Sequence, residues 1–560
     1  MKKNTLIAFF ILIFQQNYGQ YTLTELPYLA NSLSGEPQNF FVYDNKLHFA
    51  ANNTTQLCNG INQGNIELWN TTGELGTIQQ VADINSCGGS YPSNFFEFNG
   101  AMYFTAGIGE FGTDVELYKT QGNTTTIFKE FNVGSGASFD LSSKIQFRIL
   151  NNKMYFFASE GGVNNYDLWR TDGTLSGTEK VADLNTIDPS ILPNAFLTYN
   201  NELYFVAAED NLGRELYKYN EQTNLVTLVK DIYPGSNSSS PRELIVFNNE
   251  LFFHATDPIS FRRELYKTDG TSVGTISYRN FTSGIYGPTT FKVLNNQLLF
   301  VALNDSSGQD LYKCTYNSSN FQYEISLIKD FNKGTLPFNF VYGATEFIEF
   351  NNQLYFSARE IDDPSNGTNM QIYKTDGTTT GTTIAVSFNQ PGFASSKLFS
   401  IYGNKLFFFR ESEITIQDEI WVTDGTNNFL QRITGNNTNN ANRPYAFKLI
   451  EYNNELYFTA DSSSQDYEIW KITDSTLSSA NNQNPKIVSI FPNPTEDFIT
   501  VQLEIESDFT IEIYDLVGKR VSQYINQKQL DFSNLDSGIY LVKITLTQSN
   551  QTTTHKIIKK

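Results

Sequence analysis

Apolar residues come in short runs broken by pairs of Asn, Asp or Gly, and between about residues 35 and 475 this broken pattern recurs nine times. The first half of each unit is an aromatic-rich run, a two-residue break and a second apolar run. The breaks and second runs are Asp44-Asn45 with KLHFAA, Asn99-Gly100 with AMYFTA, Asn151-Asn152 with KMYFFA, Asn200-Asn201 with ELYFVA and Asn248-Asn249 with ELFFHA. Asn295-Asn296 with QLLFVA, Asn351-Asn352 with QLYFSA, Gly403-Asn404 with KLFFFR and Asn453-Asn454 with ELYFTA complete the series. Aromatic and β-branched runs of this length favour strands. Asn, Asp and Gly tolerate the positive φ that both central residues of a type I′ turn require, so each break predicts a tight hairpin. Successive breaks lie 47 to 56 residues apart, close to the length of one propeller blade.

The second half of each unit predicts another hairpin. It opens with an acid at Glu67, Glu116, Asp167, Glu215, Glu264, Asp310, Glu419 and Glu468, with Gln371 the exception. Its turn is Asp-Gly-Thr in the best copies, at Asp172, Asp269 and Asp376, where the carboxylate can accept nearby N–H bonds and Gly supplies positive φ. A fourth run follows, such as QQVADI, EKVADL or TLVKDI. The ninth unit has no fourth run before the chain turns polar, whereas Tyr21–Ala30 precedes the first unit as Thr227–Ile232 precedes the fifth. Residues near Thr22–Leu26 are therefore expected to pair with the ninth unit. The fold expected is all-β: a large β-propeller of nine four-stranded repeats, closed into a ring by the N-terminal strand, followed by a small Ig-like β-sandwich. An open array or two smaller rings is the alternative.

The two ends read differently from the repeats. Residues 1–19 carry two lysines and then the nine-residue apolar run Leu6–Phe14, which suits a signal peptide cut after Gly19. A bilayer span needs about 20 apolar residues, so no transmembrane segment is expected in the mature chain. Residues 20–474 form the repeat region, and 475–486 are a Ser/Asn-rich linker. Residues 487–560 alternate in short β-patterned segments broken at Pro492–Pro494, Val517–Lys519 and Asp536–Gly538.

The tail series FPNPTEDFITV, IEIYDLVGKRV, LDFSNLDSGIYLVKIT and THKIIKK resembles the type A sorting domain of the type IX secretion system of Bacteroidetes. Its motif residues here are Pro492, Asn493, Pro494, Gly518, Lys519, Gly538 and Tyr540. The resemblance implies delivery through the periplasm to the cell surface or medium, with the type IX machinery as partner, and says nothing of activity. The repeats themselves resemble the ELWxxDGT repeat proteins of secreted bacterial origin. That resemblance implies a propeller-like fold and no substrate. The second, fourth and sixth units depart from the Asp-Gly-Thr signature, which points to turn chemistry rather than catalysis.

Composition narrows the function. The chain has 560 residues, 14% aromatic and only 18% charged, with a net charge of −20. That acidity repels nucleic-acid phosphates, so no nucleic-acid partner is expected. Three histidines, His48, His254 and His555, cannot build a histidine-rich metal site. Export permits disulfides, and Cys58 with Cys87 is the candidate pair, leaving Cys314 over. The repeated acid could line a cation site, but a residue present in nearly every unit is more simply part of the unit, bonded to local N–H groups. No cofactor is expected, with calcium the alternative. The chain holds no G-x-S-x-G, HExxH or P-loop motif, so no catalytic residue is assigned. Even repetition favours an exported binding or adhesion propeller for glycan or protein, and the alternative is a secreted propeller enzyme acting on polysaccharide, of glycoside hydrolase or lyase type. A unique site would sit in the longest irregular stretches: Ala51 to Gly64, Cys314–Tyr323 or Glu360–Asn369.

Overall fold

The nine breaks form hairpin turns with positive φ at both central residues, 47° and 55° at Asp44 and Asn45, and 50° and 57° at Asn453 and Asn454. The computed structural model describes residues 15–18, 21–26, 35–52, 65–86, 88–109, 112–132, 136–139, 146–160, 166–184, 196–209, 211–278, 285–304, 308–331, 345–359, 370–388, 396–411, 418–426, 429–433, 443–444, 449–461, 467–474, 488–491, 495, 497–503, 509–515, 520–533, 535–536, 538–546 and 552–559. The chain divides into two units of structure, Met1–Asp474 and Ser475–Lys560.

In the first repeat the strands Gln38–Tyr43, Lys46–Asn52, Ile66–Thr71 and Gln79–Ala82 lie side by side in chain order, all antiparallel. Eight four-stranded sheets of Met1–Asp474 follow this plan. The remaining sheet has six strands. Here Arg443–Pro444 and Ile450–Tyr452 pair with Glu455–Asp461, which pairs with Tyr467–Asp474. Tyr21–Leu26 occupies the position a fourth strand takes elsewhere, with Tyr21 opposite Asp474 and Leu26 opposite Ile469. Gln15–Tyr18 pairs outside it.

The apolar cores lie between sheets rather than within any one of them. Strand Ile66–Thr71 is buried along its whole length, because a neighbouring sheet covers each face. Tyr43 and Leu68 pack with Met102 and Phe104 of the second unit. Phe98, Tyr103 and Leu117 pack with Met154, Phe156 and Trp169 of the third. Tyr452, Tyr457 and Ile469 of the ninth unit pack with Leu47, Phe49 and Trp69 of the first. First strands of neighbouring units touch one another, Gln38–Tyr43 meeting both Ser93–Phe98 and Ile450–Tyr452.

Strand direction sorts the connections onto two ends of the sheets. One end carries the Asn-rich hairpins and the Asp-Gly-Thr turns, much alike from unit to unit. The other carries the links from second to third strand and from each unit to the next, where length and sequence vary. Cys314–Tyr323 is not an irregular stretch: strands Gly308–Asn317 and Gln322–Lys329 pair across a short turn at residues 318–321. Residues 53–64 and 360–369 lie outside the described residues.

The tail is a sandwich of two sheets. Val488–Phe491, Phe498–Leu503 and Gln529–Asp531 form one, and Arg520–Ile525, Phe509–Tyr514, Gly538–Leu546 and Thr552–Lys559 form the other. Ile499, Val501 and Leu530 of the first pack with Ile511, Ile513, Val542 and Ile557 of the second. Among the described residues no helix is long and apolar enough to cross a membrane.

Candidate functional site

The repeated acid opens the third strand at the end where connections vary, and its carboxylate faces inward to the backbone. Glu67, fully buried, accepts from the Ile84 N–H at 2.8 Å, the Asn85 N–H at 3.3 Å and the Ser90 hydroxyl at 2.7 Å. Glu116 accepts from the Phe131 N–H at 3.2 Å and the Ser138 hydroxyl at 2.5 Å. Glu215 accepts from the N–H groups of Ile232, Tyr233 and Ser239 at 3.2, 3.3 and 3.0 Å, and from the Ser239 hydroxyl at 2.5 Å. Asp167 takes the Leu184 N–H and Asp310 the Phe331 N–H. Where the acid is absent, Gln371 replaces it with a two-way bond: its Oε1 accepts from the Phe388 N–H and its Nε2 donates to the Phe388 carbonyl. These five acids and Gln371 thus pin the chain as it leaves the fourth strand, whereas Glu419 accepts from the Trp421 Nε1–H and from the Arg432 guanidinium, each at 3.1 Å.

The serine carries the link onward. Ser90 donates its side chain to Glu67, while its carbonyl accepts from the Gly107 N–H of the second unit. Ser138 joins Glu116 to the Ser159 N–H in the same way, and Ser239 joins Glu215 to the Thr256 N–H. Burial pushes Glu67, Glu116 and Glu215 up to about 7 against the pull of these donors.

At the uniform end, Asp172 Oδ1 accepts from the Thr174 N–H and hydroxyl, and Asp269, Asp376 and Asp424 do the same with Thr271, Thr378 and Thr426. These carboxylates lock turns. The turn glycines are pressed by the preceding unit: a Cβ on Gly270, at φ +94°, would collide with the Tyr204 hydroxyl.

Two places break the repetition. Arg410 stands where the other units have Ala, opposite Glu419 in register, with its guanidinium carbon 3.7 Å from the Phe388 ring centroid. The fifth unit carries Arg242, His254 and Arg263. Register places Arg242 opposite His254 and Thr256 opposite Arg263, so all four project from one face. That face looks toward the sixth unit, where the Phe291 ring lies 6.3 Å from the His254 ring. Burial, then the positive charges of Arg263 and Arg242, depress His254 to about 3. Toward the fourth unit instead, Asp257 is buried, accepts from the Tyr266 hydroxyl at 2.8 Å and caps a loop that leaves Ile259 and Phe261 in solvent, Phe261 at φ +56°. A bulge in the first strand sets Glu243 and Thr290 at positive φ, as it does Asn39, Asn94 and Glu346. None of these residues carries a sequence signal: single changes inside an otherwise regular unit, they gain meaning only from the neighbouring sheet.

Of the tail motif residues, Gly538 opens a strand and Tyr540 packs edge-on against Phe532, its hydroxyl donating to the Asp536 carbonyl at 2.9 Å. Pro492, Asn493, Pro494, Gly518 and Lys519 lie outside the described residues, as do Cys58 and Cys87. Cys314 is a buried free thiol, which burial pushes up to about 12. Among the described residues no three His, Cys, Asp or Glu side chains gather as metal ligands.

Residues 489–560 match the family described as the secretion system C-terminal sorting domain. This domain marks the protein for export to the cell surface or medium through the type IX machinery. Over 152 residues the chain is 26% identical to the ulvan lyase NLR42 of Nonlabens ulvanivorans, a stretch covering 26% of each chain, so about a quarter of that relative is spanned. Among solved structures, the β-propeller domain of the Trilobed protease from Pyrococcus furiosus aligns with 62% of this chain and 98% of its own, at 12% identity and TM-score 0.32. PorZ, a surface component of the type IX secretion system of Porphyromonas gingivalis, aligns with 98% of this chain and 86% of its own, at 10% identity and TM-score 0.26.

Proposed function

We propose that residues 20–474 are a closed nine-bladed ring, exported after removal of residues 1–19, that binds glycan or protein at the cell surface and is not an enzyme. Support for closure comes from contacts that repeat. Tyr43 donates to the Gly100 carbonyl at 2.9 Å and Tyr199 to the Asn249 carbonyl at 2.8 Å, each reaching the next unit; Tyr452 of the ninth unit donates to Asn45 of the first at 2.7 Å. Lys119 to Gly173, Lys313 to Gly377 and Lys471 to Gly73 form a second such series.

The observation that carries the binding role is how the acids are used. The repeated carboxylates whose bonds are described above are engaged by backbone, serine, tryptophan or basic partners of their own repeat region, not left facing a cleft as a pair. The groups that differ between units gather where the connections vary, which is where a ligand would be read. A second reading, favoured by the stretch shared with ulvan lyase NLR42, is a secreted enzyme acting on polysaccharide. The processed protein on glycan and protein arrays decides between them. Retention without new reducing or unsaturated ends supports binding; steady release of such ends from a polysaccharide mixture overturns it.

A further inference from the structure

The outer strands of the sheets are short, bulged or covered, with one exception. A strand at a sheet edge presents a row of unpaired N–H and C=O groups on which another chain can build, and short length or a bulge removes that template. Among the repeats, six fourth strands meet their third strand across a register shift. Those of the fifth and eighth units have only two and three residues. In the ninth unit Tyr21–Leu26 has Gln15–Tyr18 outside it.

The tail sandwich has four edges. Val488–Phe491 and Gln529–Asp531 have four and three residues. Arg520–Ile525 has six, but the extra residue Val521 breaks its register with Phe509–Tyr514. Thr552–Lys559 is the exception. Its eight residues pair one to one with Gly538–Leu546, from Thr552 opposite Thr545 to Lys559 opposite Gly538, with no shift. On its other side, among the described residues, it pairs with no strand, and only Thr495 meets it, in a single parallel bridge at Lys559. Its sequence TTTHKIIK holds two lysines and no acid, in a chain whose net charge is −20. Lysine on an open edge discourages pairing with a second copy, because like charges are brought together, while an acidic strand is still admitted.

We propose that the outer edge of Thr552–Lys559 is where the type IX machinery engages this chain, by adding an extended, acid-bearing segment of its own as a fifth strand of the sheet. The sorting-domain match at residues 489–560 supplies the partner, and the edge supplies the place and the mode. Main-chain bonds along an added strand give affinity, and its charges select the strand. The inference stands apart from whatever the repeat region binds.

Successive residues of a strand turn their N–H groups to opposite edges, so of Thr554 and His555 one donates outward and the other toward Gly538–Leu546. Thr554→Pro and His555→Pro, made separately in the full chain, each remove one donor. Both are expressed in a host with a working type IX machinery. Hydrogen exchange at the amides of Gly538–Leu546 identifies the variant whose sandwich stays intact. In that variant export is expected to fall about tenfold or more, with the protein held in the periplasm; export at the wild-type level overturns the proposal. If both prolines loosen the sandwich, the wild-type chain is mixed with outer-membrane vesicles carrying the machinery. Exchange is then expected to slow at alternate amides of Thr552–Lys559, and unchanged exchange there overturns the edge. A wild type that dimerises, with the dimer lost and export kept in the intact proline variant, assigns the edge to a second copy and overturns it too. Lys556→Glu tests the charge: weaker export supports an acid-bearing strand, and unchanged export overturns that part of the proposal.

Discussion

Replacing Ser239 by Ala removes one hydroxyl and nothing else from the link between the fourth and fifth units. That hydroxyl donates at 2.5 Å to Glu215 Oε2, and both residues are fully buried, so water cannot substitute for it. A hydrogen bond to a charged group contributes about 1.5–3 kcal/mol net, against about 0.5–1.5 kcal/mol for a neutral pair. Which figure applies depends on pH. Burial raises Glu215 from an ordinary 4.5 to about 7 in the folded protein. Above about pH 7 it is ionised both folded and unfolded; between the two values the folded chain holds a proton that the unfolded chain has released. Stability therefore falls as pH rises through this window, and above it the serine bond is charge-assisted. Ser239→Ala is expected to cost about 2 kcal/mol at pH 8.5 and about 1 kcal/mol at pH 5. Urea unfolding of both proteins at the two pH values measures the difference, and hydrogen exchange at the Thr256 amide reports the loosened neighbour. A cost below about 0.5 kcal/mol at pH 8.5, or one identical at both pH values, would show that the acid and serine do not carry the link.

Glu67, Glu116 and Glu215 are all raised to about 7, so the wild type should resist urea better at pH 5.5 than at pH 8; a flat profile would contradict the burial of their charge. Gly270→Ala puts a side chain at φ +94° against the Tyr204 hydroxyl and is expected to destabilise by about 2 kcal/mol or more, with Tyr204→Phe restoring part of the loss; full tolerance would mean the turn does not dock as described. Removing residues 1–26 strips the partner from Tyr467–Asp474 and uncovers Ile469 and Ile472, so the unfolding midpoint should drop and a YTLTEL peptide should recover some of it. An unchanged midpoint refutes the role of that strand.

The hairpins were legible because their chemistry is local: a type I′ turn needs positive φ at two adjacent residues, and Asn-Asn, Asp-Asn and Asn-Gly announce it without help from the rest of the chain. The acid at the head of the third strand was legible as a repeat, yet its partners 17 to 24 residues onward, Ile84 or Ser239, are recognisable only once the fourth strand is laid down. Two tail strands carry no sequence signal. Arg520–Ile525 reads RVSQYI and is half to fully exposed, so it lacks the buried alternation that marks its neighbours, and Gln529–Asp531 has three residues, of which only Leu530 is buried. The first-strand bulge was invisible for another reason. Glu243, Thr290 and Glu346 are poor residues for positive φ, and the conformation comes from the register shift against the second strand rather than from their own preference. The face carrying Arg242, His254 and Arg263 combines both obstacles, being a departure confined to one unit and a feature of two sheets at once.

The pairing of Tyr21 with Asp474 has a consequence for where the chain is allowed to begin. The start and finish of the repeat region lie side by side on adjacent strands, within reach of a short peptide bridge. A gene in which residue 474 is joined to residue 21, and which is reopened at the Gly403-Asn404 turn, would encode the same sheets in rotated order. The ninth unit packs on the first through the same positions by which the first packs on the second, so for that core the order of synthesis is a convention. What sets it in this chain is the export address, the sorting domain at residues 489–560, which follows the repeats.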